Sequence, residues 1–175
     1  MKSAEVREDY QGSIWTIGHS TRSGEEFNGI LKAHRIEMVA DVRAFPSSRR
    51  YPQFNKEDLA CSLAEAGICY QHLPALGGRR KPARDSRNTA WKNPSFRAYA
   101  DYMETESYRQ GIGSLVGLAD NQRTAVMCAE AVWWRCHRML ISDALTVRGW
   151  DVIHVGAGPG PEKHRLTSFA IVEGE

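Results

Sequence analysis

The feature that most constrains this chain is its alternation of two periodicities. Short β-rich apolar runs recur between longer segments whose apolar residues fall three and four apart, and turn residues separate them. Ile14-Trp-Thr-Ile17, Glu37-Met-Val-Ala-Asp-Val42, Ile68-Cys-Tyr-Gln-His-Leu73, Thr124-Ala-Val-Met-Cys128 and Asp151-Val-Ile-His-Val155 read as strands. Ser23, three residues before Glu26, signals a capping box for a helix carrying Phe27, Ile30 and Leu31, and Gly67 is placed to stop a second helix capped at Asn55. Residues 95–106, 107–119 and 135–147 read as three more helices, with a break near Ser107 or Gly111. Strands separated by helices imply right-handed crossovers. The expected architecture is a single α/β domain, a mostly parallel sheet of about five strands with helices on both faces.

Composition narrows the class. At 175 residues and 19.7 kDa, with 42% hydrophobic and 25% charged residues, the chain suits one buried core. No apolar run approaches the roughly 20 residues of a membrane helix, and residues 1–12 read as a flexible N-terminal segment without a secretory core. Four widely spaced cysteines, Cys61, Cys69, Cys128 and Cys136, favour reduced thiols and a cytoplasmic location. A net charge of +2 does not by itself demand nucleic acid. The charge is uneven, however: a long basic loop over 75–94 and its flanks carry Arg79, Arg80, Lys81, Arg84, Arg87, Lys92 and Arg97 against the single acid Asp85. Such a loop can attract phosphate or carboxylate groups, or simply be solvated surface.

In a parallel sheet the carboxyl ends of the strands share one edge, where α/β proteins tend to bind ligands. That edge collects Gly18, His19 and Ser20 after the first strand, Asp41 and Arg43 on the second, and His72 with Gly77, Gly78 and Arg79 after the third. Cys128 and Glu130 follow the fourth strand, and His154 ends the fifth. Each residue also has a structural reading. Asp41 can be paired with Arg43 or Arg49, Cys128 can be simple packing, His154 a satisfied core histidine, and His34 and His164 surface or packing residues.

The densest chemistry lies between Cys128 and Arg138, where two thiols, a carboxylate, an imidazole and two guanidiniums occupy eleven positions. A thiol near a helix amino terminus, with Arg135 and Arg138 close by, is drawn toward thiolate. Arg135 stands one position too far from Cys128 for the C-x5-R phosphate cradle, and bulky Val132, Trp133 and Trp134 replace glycines. A zinc site built from Cys128, Cys136, His137 and His19 has the wrong spacing, so no metal ligands are assigned and the cofactor is left unassigned. A redox pair between Cys128 and Cys136 requires their Cα atoms within about 7 Å. Binding of nucleic acid without covalent chemistry would use the arginines with Trp91, Trp133, Trp134 and Tyr51 as stacking faces.

Taken together, Thr16-Ile-Gly-His-Ser20, Asp41-Val-Arg43 with Pro46-Ser-Ser-Arg49, Leu76-Gly-Gly78, Cys128-Ala-Glu130 and Cys136-His-Arg138 resemble the family catalogued as Domain of Unknown Function 488. Members often carry proline between the two cysteines where this chain has Trp133. The resemblance implies a bacterial or archaeal cytosolic α/β domain with a shared polar cleft, and supplies no activity. The expected function is an enzyme acting on an anionic, phosphate-containing substrate. Cys128 would be nucleophile or redox thiol, His19 and Glu130 acid/base groups, and Asp41 an orienting carboxylate. Arg43, Arg49, Arg79, Arg138, Ser20, Gly77 and Gly78 would hold the substrate. A nucleic-acid-binding module of DNA or RNA processing, or an interaction protein without catalysis, are the alternatives, and the oligomeric state, a homodimer included, is open.

Overall fold

A computed structural model describes residues 12–173; the N-terminal segment expected to be flexible lies, but for Gly12, outside the described residues. The strands are β1 (Ser13–Gly18), β2 (Met38–Asp41), β3 (Cys69–His72), β4 (Thr124–Cys128), β5 (Asp151–Val155) and β6 (Glu162–Lys163). They form one sheet in the order β3-β2-β4-β1-β5-β6, parallel throughout except for β6, which runs antiparallel to β5. The helices are α1 (Gly24–Ala33), α2 (Lys56–Glu65), α3 (Pro94–Met103), α4 (Glu106–Ala119) and α5 (Arg138–Val147). The fold is therefore α/β, with one strand more than expected. That strand is only two residues long, too short for a periodic signal in the sequence.

Local chemistry accounts for most boundaries. Ser23 and Glu26 form the reciprocal capping box of α1. Gly67, at φ +74°, provides the left-handed turn that ends α2. The break between α3 and α4 falls at Thr105, earlier than expected, because its hydroxyl caps α4 through the Tyr108 amide. The final helix begins at Arg138 rather than Arg135, since Trp133–Arg135 wind as a separate 3-10 turn. Among the described residues no helix is long and apolar enough to cross a membrane.

Strand alternation divides the core into two layers. Trp15, Ile17, Val39, Ala125 and Met127 face α1 and α2, where they pack with Phe27, Leu31, Phe54, Leu59 and Leu63. Ile14, Ala40, Val126, Cys128 and Val152 face the opposite way, toward α3, α4 and α5, with Tyr99, Tyr108, Ile112, Leu115, Leu140 and Ile141. This parity decides where the polar strand-end residues go. Thr16, Cys128 and His154 alternate with the α1/α2-facing residues and lie on the α5 side, whereas Asp41 alternates with Ala40 and falls on the α1/α2 side.

Candidate functional site

On the α5 side the two buried thiols of Cys128 and Cys136 approach to 2.8 Å. β4 delivers Cys128 at its last residue, and the 3-10 turn brings the chain back so that Cys136 lies just before the amino terminus of α5. Arg138, only 1% exposed, is wrapped around the pair. Its Nε donates to Cys128 Sγ at 3.0 Å, its backbone N–H to Cys136 Sγ at 3.5 Å, and Nη2 to the Glu130 carbonyl at 2.6 Å. Nη1 reaches Thr16 Oγ1 at 3.3 Å. A buried guanidinium is tolerable only with such partners.

His137 completes the arrangement. Its Nε2 lies 2.9 Å from the Val42 carbonyl, which can only accept, so Nε2 carries the proton. Nδ1 is then a bare lone pair 3.4 Å from Cys136 Sγ. Burial, the largest influence on Cys136, opposes ionisation. The hydrogen bond from Cys128 and the charge and bonds of Arg138 outweigh it and hold the Cys136 thiol down at about 7. Burial and the neighbouring Cys136 push Cys128 well up. The pair thus gives up its first proton near neutrality and keeps its second.

On the α1/α2 side a different cluster forms. Asp41 holds Arg43 through Oδ1 to Nε at 2.9 Å and Oδ2 to Nη2 at 2.6 Å, and also accepts from the Tyr70 hydroxyl at 2.7 Å. Arg43 Nη1 donates to the Phe54 carbonyl at 2.8 Å and meets His19 Nε2 at 3.4 Å. His19 Nδ1 is 3.0 Å from the Ser20 carbonyl, and its ring stacks on Phe54 at 4.2 Å. Burial lowers the His19 pKa to about 4, so the ring is neutral at pH 7. The backbone links the two clusters, His19 N–H bonding the Cys128 carbonyl at 2.9 Å and Ser20 N–H the Ala129 carbonyl at 3.0 Å.

A family model described as domain of unknown function DUF488 matches residues 23–145, more than half of the chain. The chain belongs to the DUF488 family. No curated protein and no solved structure matches it. In this DUF488 domain β1, the following His19, and β5 with His154 lie outside the matched segment, yet Gly18 pairs with Cys128 in the sheet and Thr16 meets Arg138.

The residues expected to form one cleft are therefore distributed. Cys128 and Arg138 meet directly, while Asp41, Arg43 and His19 form the second cluster. Glu130 contributes its carbonyl to Arg138 and is itself exposed. Gly77 lies against Ala44 and Gly78 against the His137 ring, so both are close-approach positions. Arg49 and Arg79 are exposed, Arg79 beside the Phe45 ring, and Ser20 is half-buried. Among the described residues no group of three or more His, Cys, Asp or Glu is disposed to hold a metal ion. A cavity of about 830 Å³ lies between α3, α4, α5 and the C-terminal tail, and its lining includes Asp143 but neither buried thiol.

Sequence reasoning missed His137 as a neighbour of the Cys136 thiol, and Thr16, His164 and Asp143 as members of the polar chain beyond Arg138. His137 was legible only as a metal ligand, because its tautomer is set by a carbonyl 95 residues away. His164 sits in a tail without periodicity, and Asp143 in a helix where a polar residue usually faces solvent.

Proposed function

We propose that this DUF488 domain is an enzyme that uses the Cys128–Cys136 pair on an anionic substrate approaching the carboxyl edge of the sheet. One observation carries the reading: two thiols in mutual contact share a buried guanidinium, with an imidazole lone pair beside one of them. That set supplies a nucleophile, a proton acceptor and a cation for the developing negative charge. Exposed Arg49, Arg79 and Arg135 provide attraction for an anion. Arg80 and Trp133 are used internally, Arg80 over the Tyr102 ring and Trp133 stacked on His154, which favours thiol chemistry over base stacking.

The chemistry that needs both thiols is exchange with a sulfur electrophile. Cys136 passes its proton to His137 Nδ1, and the thiolate attacks one sulfur of a substrate disulfide, expelling the other as a thiolate that takes up that proton. Cys128 then attacks Cys136 Sγ, and its proton goes to the departing substrate thiolate. The products are two substrate thiols and a Cys128–Cys136 disulfide, two electrons having passed from the protein to the substrate. A dithiol reductant resets the pair. Both thiols are buried, so the segment 129–135, which carries exposed Trp134 and Arg135, must open for substrate to enter.

The test uses a Cys61→Ser/Cys69→Ser background, since those two thiols are exposed. Iodoacetamide should label the native protein with a midpoint near pH 7. Oxidised glutathione, an anionic disulfide, should convert the pair to an internal disulfide that is about 2 Da lighter. Absence of native labelling, or a midpoint in the ordinary thiol range of about 8.5, would overturn the reading.

A further inference from the structure

Arg138 is gripped on its other side by a continuous polar chain that the thiol chemistry does not use. Nη1 lies 3.3 Å from Thr16 Oγ1, and Thr16 Oγ1 2.7 Å from His154 Nδ1. His154 Nε2 lies 3.0 Å from His164 Nδ1, and His164 Nε2 2.9 Å from Asp143 Oδ1. Four elements build this path: β1, β5, the residue after β6, and α5 again. Arg138 and Asp143 share α5 but are five residues apart, which turns them to different faces of the helix, so their connection runs through the sheet.

With both rings carrying one proton, the two ends set the direction of every hydrogen bond. A guanidinium only donates and an ionised carboxylate only accepts. His164 Nε2 then donates to Asp143, and its Nδ1 accepts from His154 Nε2–H. His154 Nδ1 then accepts from the Thr16 hydroxyl, whose oxygen receives Arg138. Burial above all lowers the His154 pKa to about 3, consistent with a neutral ring. Trp133 stacks on that ring at 4.2 Å, and the Thr167 N–H donates to the same Asp143 oxygen at 2.9 Å.

We propose that Asp143, acting through His164, His154 and Thr16, is the fixed counter-charge of Arg138 and so a positioning residue for the thiol pair. The inference rests on the thiol reading above. Arg138 has two anionic claimants, the thiolate beside it and the carboxylate at the end of the chain. When the thiols are protonated or joined, Asp143 is the anion left on this hydrogen-bonded path to balance the buried cation. Removing the Asp143 charge must then favour the thiolate state. The other groups facing the pair are His137 from the start of α5, Tyr99 from α3 and, beyond His137, Arg80. Those facing Asp143 are His164, Tyr108 from α4 and Arg148 from α5.

The experiment combines histidine ¹⁵N spectroscopy with the alkylation profile in the Cys61→Ser/Cys69→Ser background. The wild-type pair of rings should both be neutral and protonated at Nε2, and their nitrogen resonances should shift in step with the alkylation midpoint. Asp143→Asn, which still accepts from His164 and Thr167, should lower that midpoint by on the order of half a unit, roughly threefold faster labelling at pH 6. Asp143→Glu should return it toward wild type. A His154 protonated at Nδ1 beside a cationic His164, histidine resonances that ignore thiol ionisation, or an Asn variant whose midpoint stays or rises would each overturn the proposal. If the wild-type thiols do not label at all, the thiol reading itself falls and takes this one with it. Labelling that is normal but insensitive to Asp143 removes this inference alone.

Discussion

Replacing Gly18 with alanine tests whether the clamp on Arg138 depends on close backbone approach. A Cβ on Gly18 would sit 1.7 Å from the Glu130 carbonyl oxygen, 2.6 Å from its carbon and 2.9 Å from Arg138 Nη2. The carbonyl would have to retreat by roughly 1.6 Å to reach even the close C–H···O distance of about 3.3 Å. β1 cannot yield, because it is hydrogen-bonded between β4 and β5 and its continuation is tied to the Cys128 and Ala129 carbonyls. The 129–131 segment must move instead, which breaks the 2.6 Å bond from Arg138 to Glu130. Loss of a charge-assisted hydrogen bond costs about 1.5–3 kcal/mol and overpacking about 1–3 kcal/mol, so the variant should lose roughly 3–5 kcal/mol in urea unfolding at pH 7. Its alkylation midpoint should rise as the guanidinium leaves the thiols. Gly113→Ala is the internal control. It lies exposed in α4 with open space where its Cβ would be, and should gain up to about 1 kcal/mol. A Gly18→Ala variant within about 1 kcal/mol of wild type would refute the reasoning.

Three further outcomes are expected. Arg138→Met removes the cation from both thiols, so the alkylation midpoint should climb from about 7 into or above the ordinary thiol range; an unchanged pH profile would show that the guanidinium does not tune the pair. Asp41→Asn leaves Arg43 buried without its carboxylate and should cost about 3–5 kcal/mol by denaturant titration; a loss below about 1 kcal/mol would make that ion pair incidental. His19 and His154 stay neutral in the fold down to about 4 and about 3, while in the unfolded chain they protonate near 6.5. The unfolded state therefore binds more protons in that window. Their contribution is complete above about pH 6.5 and shrinks as pH falls toward 4 and 3, so Tm should drop on acidification from pH 7 to pH 4. The double variant His19→Gln/His154→Gln should flatten that slope, and an equally steep slope would contradict the assignment.

Much of the scaffold was legible in the sequence because it follows from local rules. Short β-rich apolar runs, the Ser23–Glu26 box and Gly67 mark strands, a helix start and a helix stop through interactions within a few residues. β6 and the Trp133–Arg135 turn escaped because each spans only two or three residues and has no periodic signature. Cys128, Asp41 and Arg43 could be picked out as well, since reactive or charged residues at or just after strand ends are conspicuous in any α/β sequence, and Arg138 stood out by its closeness in sequence to two cysteines.

What the linear order could not give was how those residues combine. It put them all at one edge, and the parallel register brings the ends of β1, β2 and β4 side by side there. Whether Asp41 serves Arg43 or the thiols depends on which face of the sheet each side chain leaves, and that is fixed by strand register and order, here β2 beside β4 beside β1. The partners of Arg138 lie 122 residues away at Thr16 and ten away at Cys128, and the His154–His164–Asp143 chain closes only when β6 folds back on β5. By itself, then, the sequence determined the α/β scaffold and the roster of reactive groups, because both are written in local pattern and composition. Only the tertiary structure decided which groups share a cluster, which nitrogen of each histidine is free, and where the buried charge of Arg138 finds its balance. Hydrogen bonds and charge pairing in a low-dielectric interior depend on distances between segments remote in the chain.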